Sequence, residues 1–190
     1  MRYGTIGTVG VILTVVLWGC AETGQVTPVN SPGGKVTVGD HLERGNSYAD
    51  RGMTREAEAE YIAAIAQNRA DTRAYVNLAG LYISEGRDEE AENLLKRAIR
   101  VNPKEVRAYN LLGHIYYDRG SYNAARYYYG KAVAVDPNFY EGHWNLVATC
   151  FYLNRDDEAI EHCRRYVELA PESEAETIRR ARAYIRGYRR

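Results

Sequence analysis

The sequence predicts an all-α protein, built as a solenoid of antiparallel helix hairpins and closed by a further helix at its C-terminal end. Three observations predict this fold. The chain of 190 residues repeats itself at a period of 34 residues, which is the sequence signature of a stacked array. Small residues recur where two helices of a hairpin have to approach closely. A proline, which cannot continue a helix, follows the second helix of each of the last three repeats.

The first element is an apolar segment that ends at Cys20. One positive charge, at Arg2, precedes an uncharged stretch whose apolar centre, VGVILTVVLW, has the length of a signal peptide and is short for a membrane span of about 20 residues. The residues LWGC, at 17–20, resemble the bacterial lipobox. This resemblance implies a lipoprotein signal peptide over 1–19 and a lipid on the sulfur of Cys20, which becomes the new N-terminus. An uncleaved membrane anchor is the alternative, and under either interpretation the rest of the chain lies outside the cytosol.

The second element, residues 20–37, is expected to be a flexible tether. Its sequence, which includes TGQVTPVNSPGGK, is rich in turn-forming and small residues and has no helical periodicity. Such a composition cannot bury a hydrophobic core. A flexible segment of this length has an r.m.s. reach of about 20–25 Å, so the folded part would move freely near the membrane surface.

The repeats follow as four units, at 38–71, 72–105, 106–139 and 140–173. The eighth and twentieth positions of the first three units hold only small residues: Gly45 and Ala57, Ala79 and Ala91, Gly113 and Ala125. Between the two helices of each unit stands a residue that tolerates a left-handed backbone: Gly52, Gly86, Gly120 or Asn154. Pro103, Pro137 and Pro171 end the last three units. These positions predict helix pairs over 38–51 and 54–67, 72–85 and 88–101, 106–119 and 122–135, and 140–153 and 156–169.

The last element, residues 174–190, is predicted to be a basic capping helix. Apolar residues lie on roughly one face of it: Ala175, Ile178, Ala181, Tyr184 and Ile185. The segment holds six arginines and two glutamates, whereas the rest of the chain is acidic, since the whole chain has a net charge of zero. Terminal units of a repeat array must present a polar outer surface, which this helix would supply. Its arginines are also candidates for contact with an anionic lipid or an acidic partner.

The repeats resemble the tetratricopeptide repeat, whose pattern is W-x2-L-G-x2-Y, then A-x3-F, then A and P. The second unit matches with Tyr75, Leu78, Ala79, Tyr82, Ala91, Leu95, Ala98 and Pro103, and the third with Tyr109, Leu112, Gly113, Tyr116, Ala125, Tyr129, Ala132 and Pro137. The fourth keeps Leu146, Ala159 and Pro171. The resemblance implies a right-handed superhelix whose first helices line a concave groove that binds protein segments.

The groove positions of this family fall on aromatic, amide and arginine residues of the chain. We expect the partner-binding groove to comprise Arg73, Asn77, Arg107, Asn110, His114, Tyr117, Trp144, Asn145, Phe151 and Tyr152. Amides pair with the backbone of an extended peptide and aromatic rings pack on its side chains. Alternatively, the aromatic residues form a second core layer or are covered by the tether.

Chaperone-binding members of the family hold a C-terminal carboxylate with two lysines, two asparagines and an arginine. Asn46, Asn77 and Arg107 match three of those positions, but Leu42 and Leu111 occupy two others. The resemblance therefore does not extend to the full carboxylate-binding set.

Catalytic, metal and nucleic-acid functions find little support in the sequence. There is no Gly-rich phosphate loop, nucleophile elbow or H-E-x-x-H motif, so we predict no enzyme activity and no cofactor. His143, His162 and Cys163 are a conceivable metal-binding set, but we expect His143 and Cys163 to be core substitutes for the Trp and Phe of the repeat pattern. Since zinc needs three or four convergent ligands, no metal is predicted. An axial offset of about 10 Å between Cys150 and Cys163 argues against a disulfide, although an oxidising compartment permits one.

The balanced net charge of the chain argues against a general nucleic-acid binder.

The combination of lipobox, tether and short array resembles outer-membrane repeat lipoproteins of bacteria. Two such groups are pilotins, which help the type IV pilus secretin to assemble, and adaptors that gather cell-wall enzymes. The resemblance implies a non-catalytic scaffold in the cell envelope, lipid-anchored to the outer membrane, facing the periplasm, and binding a secretin or a cell-wall enzyme. The alternative is a single-pass inner-membrane assembly factor or chaperone for exported proteins.

Overall fold

The computed structural model describes residues 36–188, which form nine α-helices and no β-strand. The helices are α1 (Val38–Asp50), α2 (Thr54–Gln67), α3 (Thr72–Ser84), α4 (Asp88–Val101), α5 (Val106–Asp118), α6 (Tyr122–Val135), α7 (Tyr140–Tyr152), α8 (Asp156–Leu169) and α9 (Ala175–Gly187). A single 3-10 turn, Glu172–Glu174, precedes α9. The predicted signal peptide, Cys20 and nearly all of the predicted tether lie outside the described residues.

The helices pair as four antiparallel hairpins, and the predicted helix positions are confirmed. Helices α2, α4, α6 and α8 have the predicted bounds, and the first helix of each hairpin ends one residue earlier than predicted. The turn residues between paired helices have a left-handed backbone, with φ of +70° at Gly52, +74° at Gly86, +70° at Gly120 and +54° at Asn154. The first helix starts at a capping box, in which Thr37 and Asp40 each accept a hydrogen bond from the other's backbone N–H.

Close packing within the hairpins depends on the small residues. A Cβ atom at Gly45 would lie 2.5 Å from a ring carbon of Tyr61, and one at Gly113 would lie 2.5 Å from two ring carbons of Tyr129. The alanines at the equivalent crossing points, Ala57, Ala79, Ala91 and Ala125, have no exposed surface. The tyrosine rings thus fill the space that the glycines leave in the first and third hairpins.

Neighbouring hairpins are joined by a repeated polar junction. At the first junction the Tyr82 hydroxyl donates to Glu58, 2.5 Å away, and the Arg87 guanidinium lies 3.4 Å from the same carboxylate. The second junction repeats the tyrosine–glutamate pair 34 residues later, with an arginine from a different position of the repeat. There the Tyr116 hydroxyl donates to Glu92 over 2.7 Å, and Arg119 pairs with Glu92 over 2.7 Å.

The third junction reverses the sign of the charges. Arg126 occupies the position that corresponds to Glu58 and Glu92, and its Nη1 lies 3.0 Å from the Glu158 carboxylate of the next hairpin. Arg155 also pairs with Glu158, over 2.5 Å. Cys150 takes the position of the junction tyrosine and is fully buried.

Helix α9 covers the end of the array, which confirms the predicted C-terminal helix. Ile178, Tyr184 and Ile185 pack against a core cluster that contains Val147, Cys163, Tyr166 and Ala181. Ala175 was predicted on the apolar face, but it is exposed as the first residue of the helix, so the covered face begins at Ile178. Within residues 36–188, none of the helices combines the length and apolar composition needed to cross a membrane.

Candidate protein-binding face

The first helices of the hairpins, α1, α3, α5 and α7, form one side of the array, which we call the inner face. Helix α3 packs against both α1 and α5, and a side-chain hydrogen bond joins α5 to α7. All ten residues predicted to bind a partner lie on α3, α5 or α7. The predicted residues are therefore spread over three neighbouring hairpins.

Two asparagine pairs bridge neighbouring hairpins on the inner face. The Nδ2 group of Asn77 donates to Oδ1 of Asn46 over 2.9 Å, and the Tyr61 hydroxyl donates to the same oxygen over 2.8 Å. The Nδ2 group of Asn145 donates to Oδ1 of Asn110 over 2.9 Å. Each pair leaves one amide NH2 group and one amide oxygen for a peptide backbone, because these bonds use only one end of each side chain.

A neutral histidine lies beside the second asparagine pair. His114 Nε2 is 3.5 Å from the Asn145 amide nitrogen, and its ring meets Tyr129 edge-on at 5.5 Å. Burial lowers the pKa of His114 to about 4. At neutral pH this side chain therefore contributes hydrogen bonding and packing to the inner face, and no charge.

The two arginines predicted in the groove differ in their ion pairing. Arg73 pairs with Asp71, with 2.6 Å between Nη2 and Oδ2, so its charge is already matched. Arg107 is exposed, and its side chain has no hydrogen bond or ion pair within residues 36–188. Burial raises the pKa of Tyr61 to about 12, the charge of Asp50 raises it further, and the charge of Arg107 lowers it. Since the Tyr61 hydroxyl donates to Asn46, Arg107 acts on the region of the first asparagine pair. Arg107 is the cation that this part of the face offers to a partner.

Four aromatic side chains, Tyr117, Tyr122, Phe151 and Tyr152, form what we call the aromatic cluster. Tyr122 and Tyr152 stack at 4.5 Å with their planes 5° apart, and Tyr117 meets both edge-on, at 5.4 Å and 5.7 Å. Phe151 contacts Tyr152 edge-on at 6.1 Å. Phe151 and Tyr152 are each 50% exposed. The cluster is thus an apolar surface that its own ring contacts hold in place.

Sequence reasoning missed Tyr122, and the reason is its position. Tyr122 is the first residue of α6, whereas the groove positions of the repeat pattern all lie on first helices. The short turn after α5 folds the start of α6 back onto the last turn of α5. An aromatic residue directly after a turn glycine is the signal that could have identified it.

Trp144 lies apart from the aromatic cluster. Its ring is 4.9 Å from that of Tyr166, and it packs against the core cluster that α9 covers. For this residue the structure matches the alternative of a second core layer. The predicted aromatic wall is therefore divided, with Tyr117, Phe151 and Tyr152 together and Trp144 beneath the C-terminal helix.

The polar groups of the last hairpin form a hydrogen-bonded histidine pair. Nδ1 of His143 is 3.1 Å from Nδ1 of His162, and Nε2 of His143 donates to the carbonyl of Pro137 over 3.1 Å. Burial lowers the pKa of both imidazoles. Nowhere in residues 36–188 do three or more histidine, cysteine or acidic side chains converge as a metal site would require.

Cys150 and Cys163 are free and buried thiols in the structure. Burial raises the pKa of each to about 11, so both stay protonated near neutral pH. Buried, protonated thiols are poor nucleophiles, and these two act as small core residues.

Comparisons with known proteins agree with this architecture. A family model described as the tetratricopeptide repeat protein 21 C-terminal ARM domain matches residues 57–181. No curated protein matches the chain.

Many solved structures are similar in fold, and three of them are repeat proteins of different origin. The thermophilic TPR protein TTC0263 of Thermus thermophilus is 20% identical, with a TM-score of 0.66 over 78% of this chain and 81% of that one. The pilF protein of Pseudomonas aeruginosa is 19% identical, with a TM-score of 0.68 over 80% of this chain and 70% of that one. The first TPR of Spaghetti (RPAP3), bound to the HSP90 peptide SRMEEVD, is 21% identical, with a TM-score of 0.58 over 62% of this chain and 94% of that one.

Proposed function

We propose that the chain, which belongs to the family of the tetratricopeptide repeat protein 21 C-terminal ARM domain, is a non-catalytic scaffold. It binds an extended segment of a partner protein on its inner face. One structurally similar repeat domain is bound to a peptide, which supports a protein segment as the ligand.

The aromatic cluster is the observation that carries this proposal. Phe151 and Tyr152 are half exposed, yet ring contacts with Tyr117 and Tyr122 already hold Tyr152 in one arrangement. Aromatic side chains dominate the binding energy of protein interfaces, and a preorganised surface loses little entropy when a partner docks.

The rest of the inner face indicates what the segment looks like. Arg107 is at the start of α5 and interacts electrostatically with Tyr61 of the first hairpin. The aromatic cluster lies at the last two hairpins, and the asparagine pairs lie along the face. A matching segment is extended, exposes its backbone to the amides, carries an apolar side chain for the aromatic cluster and has an acidic group near Arg107.

Membrane anchoring forms the second part of the proposal. The lipobox-like residues 17–20 support lipidation at Cys20, with the array tethered on the periplasmic side of the outer membrane. A pilus secretin or a peptidoglycan enzyme is the partner class that such a location favours. The competing proposal is a single-pass inner-membrane assembly factor or chaperone for exported proteins, and mass spectrometry of the membrane-extracted N-terminus distinguishes the two.

Site-specific photo-crosslinking tests where the partner binds. We would place p-benzoylphenylalanine at position 152 on the inner face and, as a control, at position 62 on α2, because Tyr152 is 50% and Ile62 49% exposed. A crosslink to one envelope protein should form at position 152 and not at position 62. Equal crosslinking at both positions, or crosslinking at position 62 alone, would contradict binding at the inner face.

A titration then measures the contribution of the cluster. The crosslinked segment, made as a peptide, should bind the Tyr152→Ala variant more weakly by about 2 kcal/mol or more. Arg186→Ala on α9 is the control and should bind normally. If Arg186→Ala weakens binding and Tyr152→Ala does not, the partner meets the C-terminal helix and the inner-face proposal fails.

A further inference from the structure

The outer side of the array carries a groove that the inner-face proposal does not use. It lies between α4 and α6, which pack on α5, and α5 forms its floor with Tyr109 and Leu112. Its walls are Lys96, Ile99 and Arg100 from α4 and Tyr127 and Tyr128 from α6. The cavity has a volume of about 300 Å³. That is the lower end of the range for ligand pockets, with room for one large side chain and its neighbouring backbone.

The residue that corresponds to Tyr109 has a side-chain partner in the hairpins on either side. Tyr75, Tyr109 and His143 occupy the same position of successive units, 34 residues apart. In the second hairpin, the Arg97 guanidinium lies over the Tyr75 ring at 5.2 Å. In the fourth hairpin, His162 hydrogen-bonds to His143 over 3.1 Å. The Tyr109 side chain has no hydrogen bond, ring contact or ion pair within residues 36–188.

The outer groove also presents an exposed aromatic ring. Tyr127 is 58% exposed, more than any other large apolar or aromatic side chain among the described residues. Tyr128 meets it edge-on at 5.1 Å, and Tyr128 is itself stacked on Tyr116 at 5.2 Å. These contacts fix one edge of the Tyr127 ring and leave the rest free to pack against a ligand.

The charges at the rim of the groove are positive. Lys131 Nζ lies 5.5 Å from the centre of the Tyr127 ring, and Arg100 has no ion pair within residues 36–188. Lys96 is matched by Glu92 over 2.7 Å. Helix α6 contains no acidic residue, and neither does the second half of α4. The rim is therefore a basic patch on a part of the chain that is acidic as a whole.

We propose that this outer groove binds an acidic segment of a partner protein, with one aliphatic or aromatic side chain packed against Tyr109 and Tyr127. Carboxylates on either side of that side chain would meet Arg100 and Lys131. A long apolar segment does not fit the groove, because the cavity is small and its rim is charged. A basic segment is repelled by the same rim. The array would then hold one partner on its inner face and another on its outer side.

Fluorescence anisotropy with a defined probe tests the proposal on the full-length chain in detergent. The probe is a fluorescein-labelled peptide, Asp-Glu-Phe-Glu-Asp, and its controls are Lys-Lys-Phe-Lys-Lys and Asp-Glu-Ala-Glu-Asp. We expect saturable binding of the first peptide and about tenfold weaker binding of both controls. Absence of saturable binding, or equal binding of the alanine peptide, would overturn the proposal.

Matched variants locate the binding. Tyr127→Ala and Arg100→Glu should each weaken binding about tenfold. Arg97→Glu makes the same charge change one turn earlier on α4 and should change affinity by less than about twofold. Loss of binding in Arg107→Glu, with Arg100→Glu unaffected, would place the peptide on the inner face and refute an outer site.

A measurement on the unmodified chain guards against misfolded variants. With 13C-labelled tyrosine rings, titration of the acidic peptide should shift the resonances of Tyr127 and Tyr109 and leave that of Tyr152 unchanged. A shift confined to Tyr152 would contradict the outer site and leave the inner-face proposal standing.

Discussion

Replacing Gly113 by alanine should destabilise the protein, although alanine is the better helix former. Gly113 lies inside α5, and a Cβ atom there would come within 2.5 Å of both Cδ1 and Cε1 of Tyr129. The Tyr129 ring is only 1% exposed, and His114 packs edge-on against it at 5.5 Å. The ring therefore has little space into which it can retreat, and the two helices of the hairpin must move apart.

The expected change in the free energy of unfolding is the difference between two opposing contributions. Helix propensity favours alanine over glycine by about 1 kcal/mol, and overpacking a core costs about 1–3 kcal/mol. Contacts as short as these lie at the upper end of that cost, so we expect a net loss of about 1–2 kcal/mol in the free energy of unfolding. Gly80 is the matched control, since it lies inside α3 and a Cβ atom there meets no atom within 4 Å. Gly80→Ala should therefore stabilise the protein by about 0.5–1 kcal/mol.

Urea denaturation followed by circular dichroism at the helical band measures both variants. The midpoints should move in opposite directions from that of the unmodified chain. In thermal melts, each kcal/mol corresponds to about 2–4 °C for a domain of this size. If Gly113→Ala proves as stable as Gly80→Ala, the close approach of α5 to Tyr129 is not as the structure has it, and the packing argument fails.

Three further predictions concern anchoring, packing and pH. Cys20→Ala should abolish labelling with a radioactive fatty acid and leave an unprocessed precursor, and labelling that persists would contradict lipidation at this residue. Trp144→Ala should lower the free energy of unfolding by about 2 kcal/mol or more, because the ring packs beneath α9, and an unchanged urea midpoint would refute that placement. Burial lowers the pKa of His114 from 6.5 to about 4, so the unfolded chain binds more protons between those values, and stability should fall as the pH drops through that interval. His114→Gln should flatten this dependence in urea midpoints measured across the interval, and equal slopes in both proteins would contradict it.

The helices could be predicted from the sequence because their limits depend on local chemistry that recurs every 34 residues. A glycine or asparagine with positive φ ends each first helix, and the small residues mark where paired helices cross. These are properties of one hairpin. They can therefore be recognised in the sequence of each unit, and the 34-residue period adds that the hairpins stack.

The candidate site was predicted less completely because it depends on contacts between hairpins. The repeat pattern identified which helices face inwards, but it did not reveal that Asn46 and Asn110 already pair with amides of the next hairpin. Nor did it separate Trp144, which α9 covers, from Phe151, which stays exposed. Such outcomes depend on side-chain reach across a junction and on where the last helix lies.

The reversed charges at the third junction affect which hairpins pack on each other during folding. Because the four hairpins are similar, one hairpin can dock wrongly on another that is not next to it in sequence. If the last hairpin docked directly on the second, Glu158 would meet Glu92, and two carboxylates would be forced together where Arg126 and Glu158 now attract each other. Because Glu58 and Glu92 occupy the Arg126 position in the first two hairpins, the reversed charges favour the third hairpin over the first and the second as the neighbour of the last one.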